Sequence, residues 1–155
     1  MHCLFLEIAR WLVKWIWINK RILTSNSLNK IQKKINEFQI LFNLDQISGK
    51  IYGGEGFSNF TANQWQIFFT IYATVSLWEY LPIVDRKILT HFIKICLILV
   101  NQIIKPDLIW KVYQRLIKIV KLIKENIGRD KITSNLYLSL HLYNCLTNYR
   151  LLYTF

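Results

Sequence analysis

Apolar side chains recur at helical spacing along most of this chain. In residues 25–39, Leu28, Ile31, Ile35 and Phe38 share one face, because positions three and four residues apart lie on the same side of a helix. Lysines occupy the other face of that stretch. Similar patterns predict about six helices, over residues 3–18, 25–39, 62–81, 84–104, 107–126 and 133–149.

Short sequence signals mark where several of these helices begin and end. Ser25 or Ser27 can cap the second helix, because a hydroxyl side chain accepts a hydrogen bond from a free backbone N–H at a helix start. Thr61 and Gln64 have the spacing of a capping box, in which each side chain bonds the other residue's backbone N–H. Gly128 is expected to end the fifth helix.

Residues 40–60 interrupt the helical pattern and predict a long surface loop, although residues 40–42 offer a weak strand-like run. A loop of this length is usually functional or an insertion. The chain has only 5 Gly and 2 Pro, which argues against a β fold with many turns. We therefore predict an all-α fold, an irregular bundle of about six helices with one long glycine-containing loop (residues 40–60), in a single helical domain over residues 1–155.

The first helix is apolar nearly all round. Only Glu7, Arg10 and Lys14 form a narrow polar stripe along it, because their spacing places them on one side. Such a helix needs cover over most of its surface. Either the rest of this chain provides that cover, or something outside the chain does.

The charge balance changes the expected partners. The chain has 20 Lys and Arg against 9 Asp and Glu, a formal net charge of +11. Such an excess favours a polyanion, either nucleic acid or an anionic membrane surface, and the alternative is a basic surface that is merely solvated. Two apolar stretches, residues 65–84 and 88–104, approach the length of a membrane span. Both contain charged residues, so we interpret them as core helices and do not expect a membrane as partner.

Basic side chains cluster most clearly on the fifth helix, where they share one arc opposite an apolar arc. A second group lies on the polar face of the second helix. Both groups could contact phosphates, each contact displacing counterions, or could simply be the solvated faces of amphipathic helices. The candidate nucleic-acid-binding residues are Lys30, Lys33, Lys34, Lys111, Arg115, Lys118 and Lys121.

No constellation of catalytic, metal-binding or cofactor-binding residues emerges. Gly49 and Lys50 suggest a phosphate loop, but Leu44 and Ile51 stand where that motif requires a glycine and a hydroxyl. His141 and Cys145 are four residues apart and could share a metal, but a structural zinc site needs four ligands and no other His or Cys pair has suitable spacing. A core histidine and core cysteines are expected instead. The nine acids are scattered singly, whereas two-metal phosphoryl chemistry needs converging carboxylates. We predict no catalytic residues, no metal and no cofactor.

Three segments, taken in order, carry a family resemblance. They are residues 1–10 (MHCLFLEIAR), residues 54–65 (GEGFSNFTANQW) and residues 131–142 (KITSNLYLSLHL). In this order and spacing they resemble the transposases of CACTA-type (En/Spm-like) mobile elements, in the part that follows the middle of the catalytic domain. The resemblance extends over essentially the whole chain.

The resemblance implies a protein that handles DNA. Such transposases cut DNA with an RNase H-like domain whose carboxylates bind divalent metal. The family's first metal-binding Asp precedes its Met-His pair, and this chain begins at Met1. The chain also departs from the family at Glu7, where Gly is usual, and at Tyr137, where His is common. We therefore expect a catalytically incomplete helical fragment of a larger transposase, not an enzyme, with weak non-specific DNA binding.

Partners and location follow from the same resemblance. DNA, a full-length transposase or another protein are the expected partners, and the location is intracellular, in the nucleus if the chain behaves like the family. Two alternatives stay open. One is a helical protein-interaction scaffold that presents apolar surface. The other is a membrane-surface protein anchored through Trp11, Trp15 and Trp17 of the first helix.

Overall fold

The computed structural model describes residues 7–42, 51, 57, 60–100 and 105–141. Every regular element within these ranges is helical, which confirms the predicted all-α class with about six helices. In chain order they are α1 (residues 9–18, made of Ala9–Trp11 and Leu12–Ile18), α2 (Ser25–Phe42), α3 (residues 62–80, from Ala62–Ile67 through Phe68–Tyr72 and Ala73–Leu77 to Trp78–Tyr80), α4 (Ile83–Leu99), α5 (Pro106–Asn126) and α6 (Ser134–Leu140), with a short 3₁₀ turn at Arg129–Lys131.

Helix starts follow the capping chemistry expected of them, with one correction. Thr61 Oγ1 accepts from Gln64 N at 3.3 Å, and Gln64 Oε1 accepts from Thr61 N at 2.8 Å, so the predicted capping box is present. The prediction of Ser25 or Ser27 as the cap of α2 was wrong. Thr24 Oγ1 accepts from Ser27 N at 3.3 Å, while Ser27 Oγ accepts from Thr24 N at 2.7 Å. The two hydroxyls thus satisfy each other's backbone N–H groups.

The helices group into two compact units, Met1–Pro82 and Ile83–Phe155. In the first unit, α1 is mostly buried: its apolar residues Leu12, Val13, Ile16 and Trp17 have no exposed surface. The cover that its all-round apolar pattern requires therefore lies within this chain. The burial of α1 gives no reason to look for that cover outside the chain.

The described positions of the predicted loop over residues 40–60 differ from the prediction. Residues 40–42 belong to α2, so they are neither loop nor strand. The described positions further on, Ile51, Phe57 and Phe60, are all buried. Ile51 N donates to Gln32 Oε1 at 2.8 Å, which ties this segment to α2. The other residues of the predicted loop lie outside the described residues.

Phe57 belongs to an aromatic cluster that forms much of the first unit's core. Its ring stacks on that of Trp65 with centroids 5.3 Å apart and lies 5.1 Å from the ring of Phe68. Phe60 joins the same cluster, 5.1 Å from Trp65. The backbone of Phe57 has a φ of 63°, a left-handed conformation that is strained for an L residue with a side chain. The packed rings stabilise that strained backbone.

Two helices widen into π-helical turns. Asn19 N donates to Lys14 O, five residues back, at 3.0 Å in the turn that ends α1. In α3 the wide turn spans Phe68–Tyr72, and side-chain hydroxyls bond the carbonyls around it. Thr70 Oγ1 donates to Gln66 O and Ser76 Oγ donates to Tyr72 O, both at 2.8 Å. These bonds satisfy carbonyls where the regular helical ladder is interrupted.

The second unit is built on a helical hairpin of α4 and α5. Residues 100–105 alone connect the two helices, so they run antiparallel. Their buried positions are apolar except for Asp85 near the start of α4, and Cys96 is among them, as expected for a core cysteine. α5 ends where predicted, before Gly128, whose φ is +131°. Across the described residues, no helix is both long and apolar enough to span a bilayer.

Thr133 caps α6, because its Oγ1 accepts from Leu136 N at 3.3 Å. The predicted continuation of α6 to residue 149 lies outside the described residues, as do residues 101–104 of the predicted fourth helix.

Candidate functional site

The candidate lysines of α2 are exposed, but two of them face acids. Lys34 Nζ lies 2.8 Å from Glu79 Oε1, at the end of α3, and Lys33 Nζ lies 4.0 Å from Glu37 Oε1. The hydrogen bond from Lys34 is the largest of the effects that lower the pKa of the Glu79 carboxyl, and the charge of Lys30 acts in the same direction. The positive charge of this group is therefore already partly compensated within the first unit.

The candidate residues of α5 form an arc that is about 120° wide at ~100° of helical rotation per residue. Arg115 stands at one edge of this arc and Lys121 at the other. Lys111 and Lys121 each pair with an acid on their own helix, Asp107 at 3.8 Å and Glu125 at 3.9 Å. Exposed pairs of this kind are weak and easily exchanged for another anion.

Arg115 lies at the edge of the arc that adjoins α4. Its Nη1 is 3.3 Å from Nδ1 of His91, in the middle of that helix. A guanidinium group only donates hydrogen bonds, so His91 Nδ1 must accept, and the imidazole is neutral with its proton on Nε2. The Nε of Arg115 is buried and has no hydrogen-bond partner among the described residues. The guanidinium therefore has unused donor capacity.

Arg115 contacts His91, and two lysines, Lys94 of α4 and Lys118 of α5, act on this histidine through their charge. We call these four basic side chains the hairpin basic cluster. Partial burial is the main cause that lowers the pKa of His91, and the charges of Arg115, Lys118 and Lys94 lower it further. No acid in the part of the chain described is found in an ion pair with Arg115 or Lys118. Like charges are thus held together here without compensation, unlike the lysines of α2.

Sequence reasoning found Arg115 and Lys118 but missed the contribution of α4. The missed signal is a spacing. Lys87, His91 and Lys94 recur at i, i+4 and i+7, the same spacing as Lys111, Arg115 and Lys118 on α5. Basic residues at this spacing line one side of each helix, and when two antiparallel helices pack, these sides can lie next to each other.

The described residues do not assemble the parts of a metal or nucleophile site. Among them no three His, Cys, Asp or Glu side chains lie close enough to hold a metal ion. Several acids are instead each held by one lysine, as in the pair of Asp130 with Lys131 at 2.8 Å. Burial raises the pKa of the Cys96 thiol well above its ordinary value, so this cysteine is a poor nucleophile. Cys145, the candidate metal partner of His141, lies outside the described residues.

The tryptophans of α1 are not presented together. Trp17 is fully buried, Trp11 is half-buried, and Trp15 is 63% exposed. Exposed apolar side chains also occur in the second unit, where Tyr137 and Leu138 are both 61% exposed on α6. These two residues are neighbours in sequence, about 100° apart around α6.

Comparison with protein-family models, with curated proteins and with solved structures finds no match to this chain.

Proposed function

We propose that this chain is a transposase-related helical protein that binds DNA weakly and without sequence preference, and that it does not cut DNA itself. The observation that carries the binding proposal is the hairpin basic cluster, in which Arg115 and Lys118 of α5 stand beside two further basic groups. The phosphate backbone of DNA supplies the negative charge that this edge of the hairpin lacks.

The physical argument rests on the difference between α2 and α5. On α2, Lys34 is bonded to Glu79, so binding a phosphate there would first break an ion pair. At the hairpin basic cluster, a phosphate would instead relieve repulsion between positive charges. Phosphate contacts position a protein on the duplex and carry no sequence information. Binding should therefore be sensitive to salt and indifferent to sequence.

The proposal that the chain does not cut DNA comes from the separation of its acidic residues. Two-metal DNA cleavage needs several carboxylates on the same ions. Here Glu37, Glu79, Asp107 and Glu125 each bond to a separate lysine. The choice of DNA, a nuclear location and a full-length transposase as a further partner all derive from the family resemblance, and they are proposals too.

Binding can be tested by fluorescence anisotropy with a labelled random-sequence duplex, over about 50 to 200 mM salt. The logarithm of affinity should fall linearly with the logarithm of salt, with a slope of about −0.9 for each phosphate contacted. Arg115→Gln and Lys118→Gln should each weaken binding and reduce the slope by about 1. A second sequence of equal length should bind equally well.

Lys124→Gln is the matched control, because it removes one charge from the same helix. Lys124 lies about 180° from Arg115 around α5 and is exposed. It should leave the slope unchanged. Absent or salt-insensitive binding, or an equal loss in all three variants, would contradict the proposal. Binding to anionic vesicles without binding to DNA would instead favour the membrane-surface alternative.

The second half of the proposal is tested with Mn²⁺ and a duplex that carries element-end sequence. We expect no nicking and no strand transfer above a protein-free control. Reproducible metal-dependent nicking by the purified chain would refute this half and leave the binding result standing.

The exposed pair Tyr137 and Leu138 supports a second candidate function, a helical scaffold that pairs with another protein. Contiguous apolar surface is a common mark of protein interfaces. Sedimentation velocity without DNA distinguishes the two: self-association that rises with concentration and is lost in Tyr137→Ser with Leu138→Ser would favour the scaffold. A monomer at all concentrations would count against self-pairing.

A further inference from the structure

The hairpin basic cluster contains one group, the imidazole of His91, that can be either neutral or charged. Lys94, Arg115 and Lys118 are cationic side chains, whereas His91 is neutral in this arrangement because its Nδ1 accepts from Arg115. Arg115 contacts His91, and the charges of Lys94 and Lys118 act on the same imidazole. Their juxtaposition raises the question of what happens to His91 when an anion arrives.

We infer that the hairpin basic cluster is a two-helix site for one DNA backbone phosphate, and that His91 takes up a proton as the phosphate binds. This inference rests on the proposed function and adds two features to it. Residues of α4 contribute to the site, and its affinity for phosphate rises as the pH falls.

The first argument is the exchange of hydrogen bonds. Without phosphate, one N–H of Arg115 is donated to His91 Nδ1 at 3.3 Å. When a proton from solvent adds to Nδ1, the imidazolium has two N–H donors and no acceptor, so this bond must break. The N–H of Arg115 is then available to a phosphate oxygen, and His91 becomes a further donor. Proton uptake and phosphate binding therefore favour each other.

The second argument is electrostatic. The groups that act on His91 are Lys94 on its own helix and Arg115 and Lys118 on α5, and all three are positive. Lys87, one turn earlier on α4, has the same sign and is exposed. A phosphate placed among these groups reverses the balance at the imidazole, because an adjacent negative charge favours the protonated form.

The third argument concerns the kind of anion. The guanidinium of Arg115 presents a planar fork suited to two oxygens of one phosphate. Lys94 and Lys118 add ammonium groups from two helices, both exposed and free to move toward a ligand. A backbone phosphodiester carries one negative charge that does not titrate near neutral pH. Any proton taken up on binding must then be carried by the protein.

The test uses NMR of the full chain, following the Cε1–Hε1 signals of its three histidines during pH titrations. A short DNA duplex should raise the pKa of His91 by about one pH unit or more. His141, which follows α6 and is exposed, is the control. Addition of DNA should not change its response. Because a pKa raised by one pH unit corresponds to a factor of up to about ten in affinity, DNA should bind more tightly at pH 5.5 than at pH 7.5.

His91→Gln should lose the pH dependence of affinity, while His141→Gln should keep both the affinity of the wild type and its pH dependence. A long-chain polyphosphate is the second probe, because its internal groups carry one charge each and it has no bases. If DNA binds with the expected salt slope but the His91 signal and the pH profile stay flat, this inference is overturned and the proposed function stands. If DNA does not bind but polyphosphate raises the pKa of His91, the phosphate site is supported and the choice of DNA is overturned. If neither probe acts, both proposals are overturned.

Discussion

Lys34 Nζ and Glu79 Oε1 lie 2.8 Å apart and join α2 to the end of α3 across 45 positions of sequence. The bond explains why an exposed lysine on a basic helix is a poor phosphate contact: its charge is already engaged. It also holds the pKa of Glu79 below the ordinary glutamate value of 4.5. A carboxyl with a lowered pKa in the folded state stabilises the fold above its unfolded pKa, and this contribution is lost as the pH falls through the folded value.

We predict that Lys34→Gln lowers the free energy of unfolding slightly at pH 7, and that this effect fades as the pH falls and Glu79 becomes protonated. Both side chains are largely exposed, so the effect should also shrink in high salt. Urea unfolding at several pH values measures it. Lys33→Gln is the control, because its partner Glu37 is 4.0 Å away. An equal effect of Lys34→Gln at pH 3 and pH 7 would show that the pair does not contribute through charge.

Gly128 takes a backbone conformation, φ +131° and ψ 148°, that residues with a side chain rarely adopt. A Cβ atom added there would also lie 2.5 Å from Asp130 Oδ1. We predict that Gly128→Ala lowers the free energy of unfolding by about 1–3 kcal/mol, the usual cost of such strain. In an Asp130→Ala background the clash is gone but the strained φ remains, so most of the loss should persist. Full recovery in that background would mean that the clash alone is responsible.

Helix ends and helix interactions differ in how far sequence predicts them. The capping box of Thr61 and Gln64 depends on two residues three positions apart, so a local pattern is enough. Whether Thr24 or a neighbouring serine caps α2 depends on which residue begins the helix, and sequence patterns do not locate a helix start to within one residue. The contact of His91 with Arg115 depends on the register of two packed helices. Neither helix alone contains that register, and the matched basic spacing on the two helices was missed.

The burial of Phe57 was least accessible from sequence. Its neighbours Gly54 and Gly56 are typical of a surface loop, and nothing local indicates that its ring lies against Trp65. Apolar residues in a glycine-rich segment can be anchors for that segment, and only the three-dimensional partners distinguish an anchor from an exposed side chain.

We predict that Phe57→Leu lowers the free energy of unfolding less than Phe57→Ala, for which about 3–5 kcal/mol is expected from loss of a buried ring. Phe57→Gly should be no less stable than Phe57→Ala, because glycine relieves the left-handed φ of 63°. In ordinary helix or strand positions glycine is the worse of the two. Urea unfolding followed by tryptophan fluorescence ranks the three variants. A glycine variant clearly weaker than the alanine variant would argue against the left-handed backbone.

His91 makes the stability of the protein decrease as the pH falls. Partial burial and the charges of Arg115, Lys118 and Lys94 lower its pKa in the folded state, whereas the unfolded chain keeps a value of about 6.5. Below that value the unfolded state binds more protons than the folded state. The free energy of unfolding should therefore decrease as the pH is lowered from neutral through about 6.5 toward the folded pKa.

We predict that His91→Gln flattens this dependence, because glutamine does not titrate. Urea unfolding between pH 7.5 and pH 5.5, in a buffer of low ionic strength without phosphate, measures the two slopes. His141→Gln should follow the wild type. Polyphosphate should reduce the wild-type slope, because a bound anion stabilises the protonated imidazole in the folded state and brings its pKa back toward that of the unfolded chain. If the free energy of unfolding depended on pH equally in the wild type and in His91→Gln, the charges around His91 would not lower its pKa in the folded state.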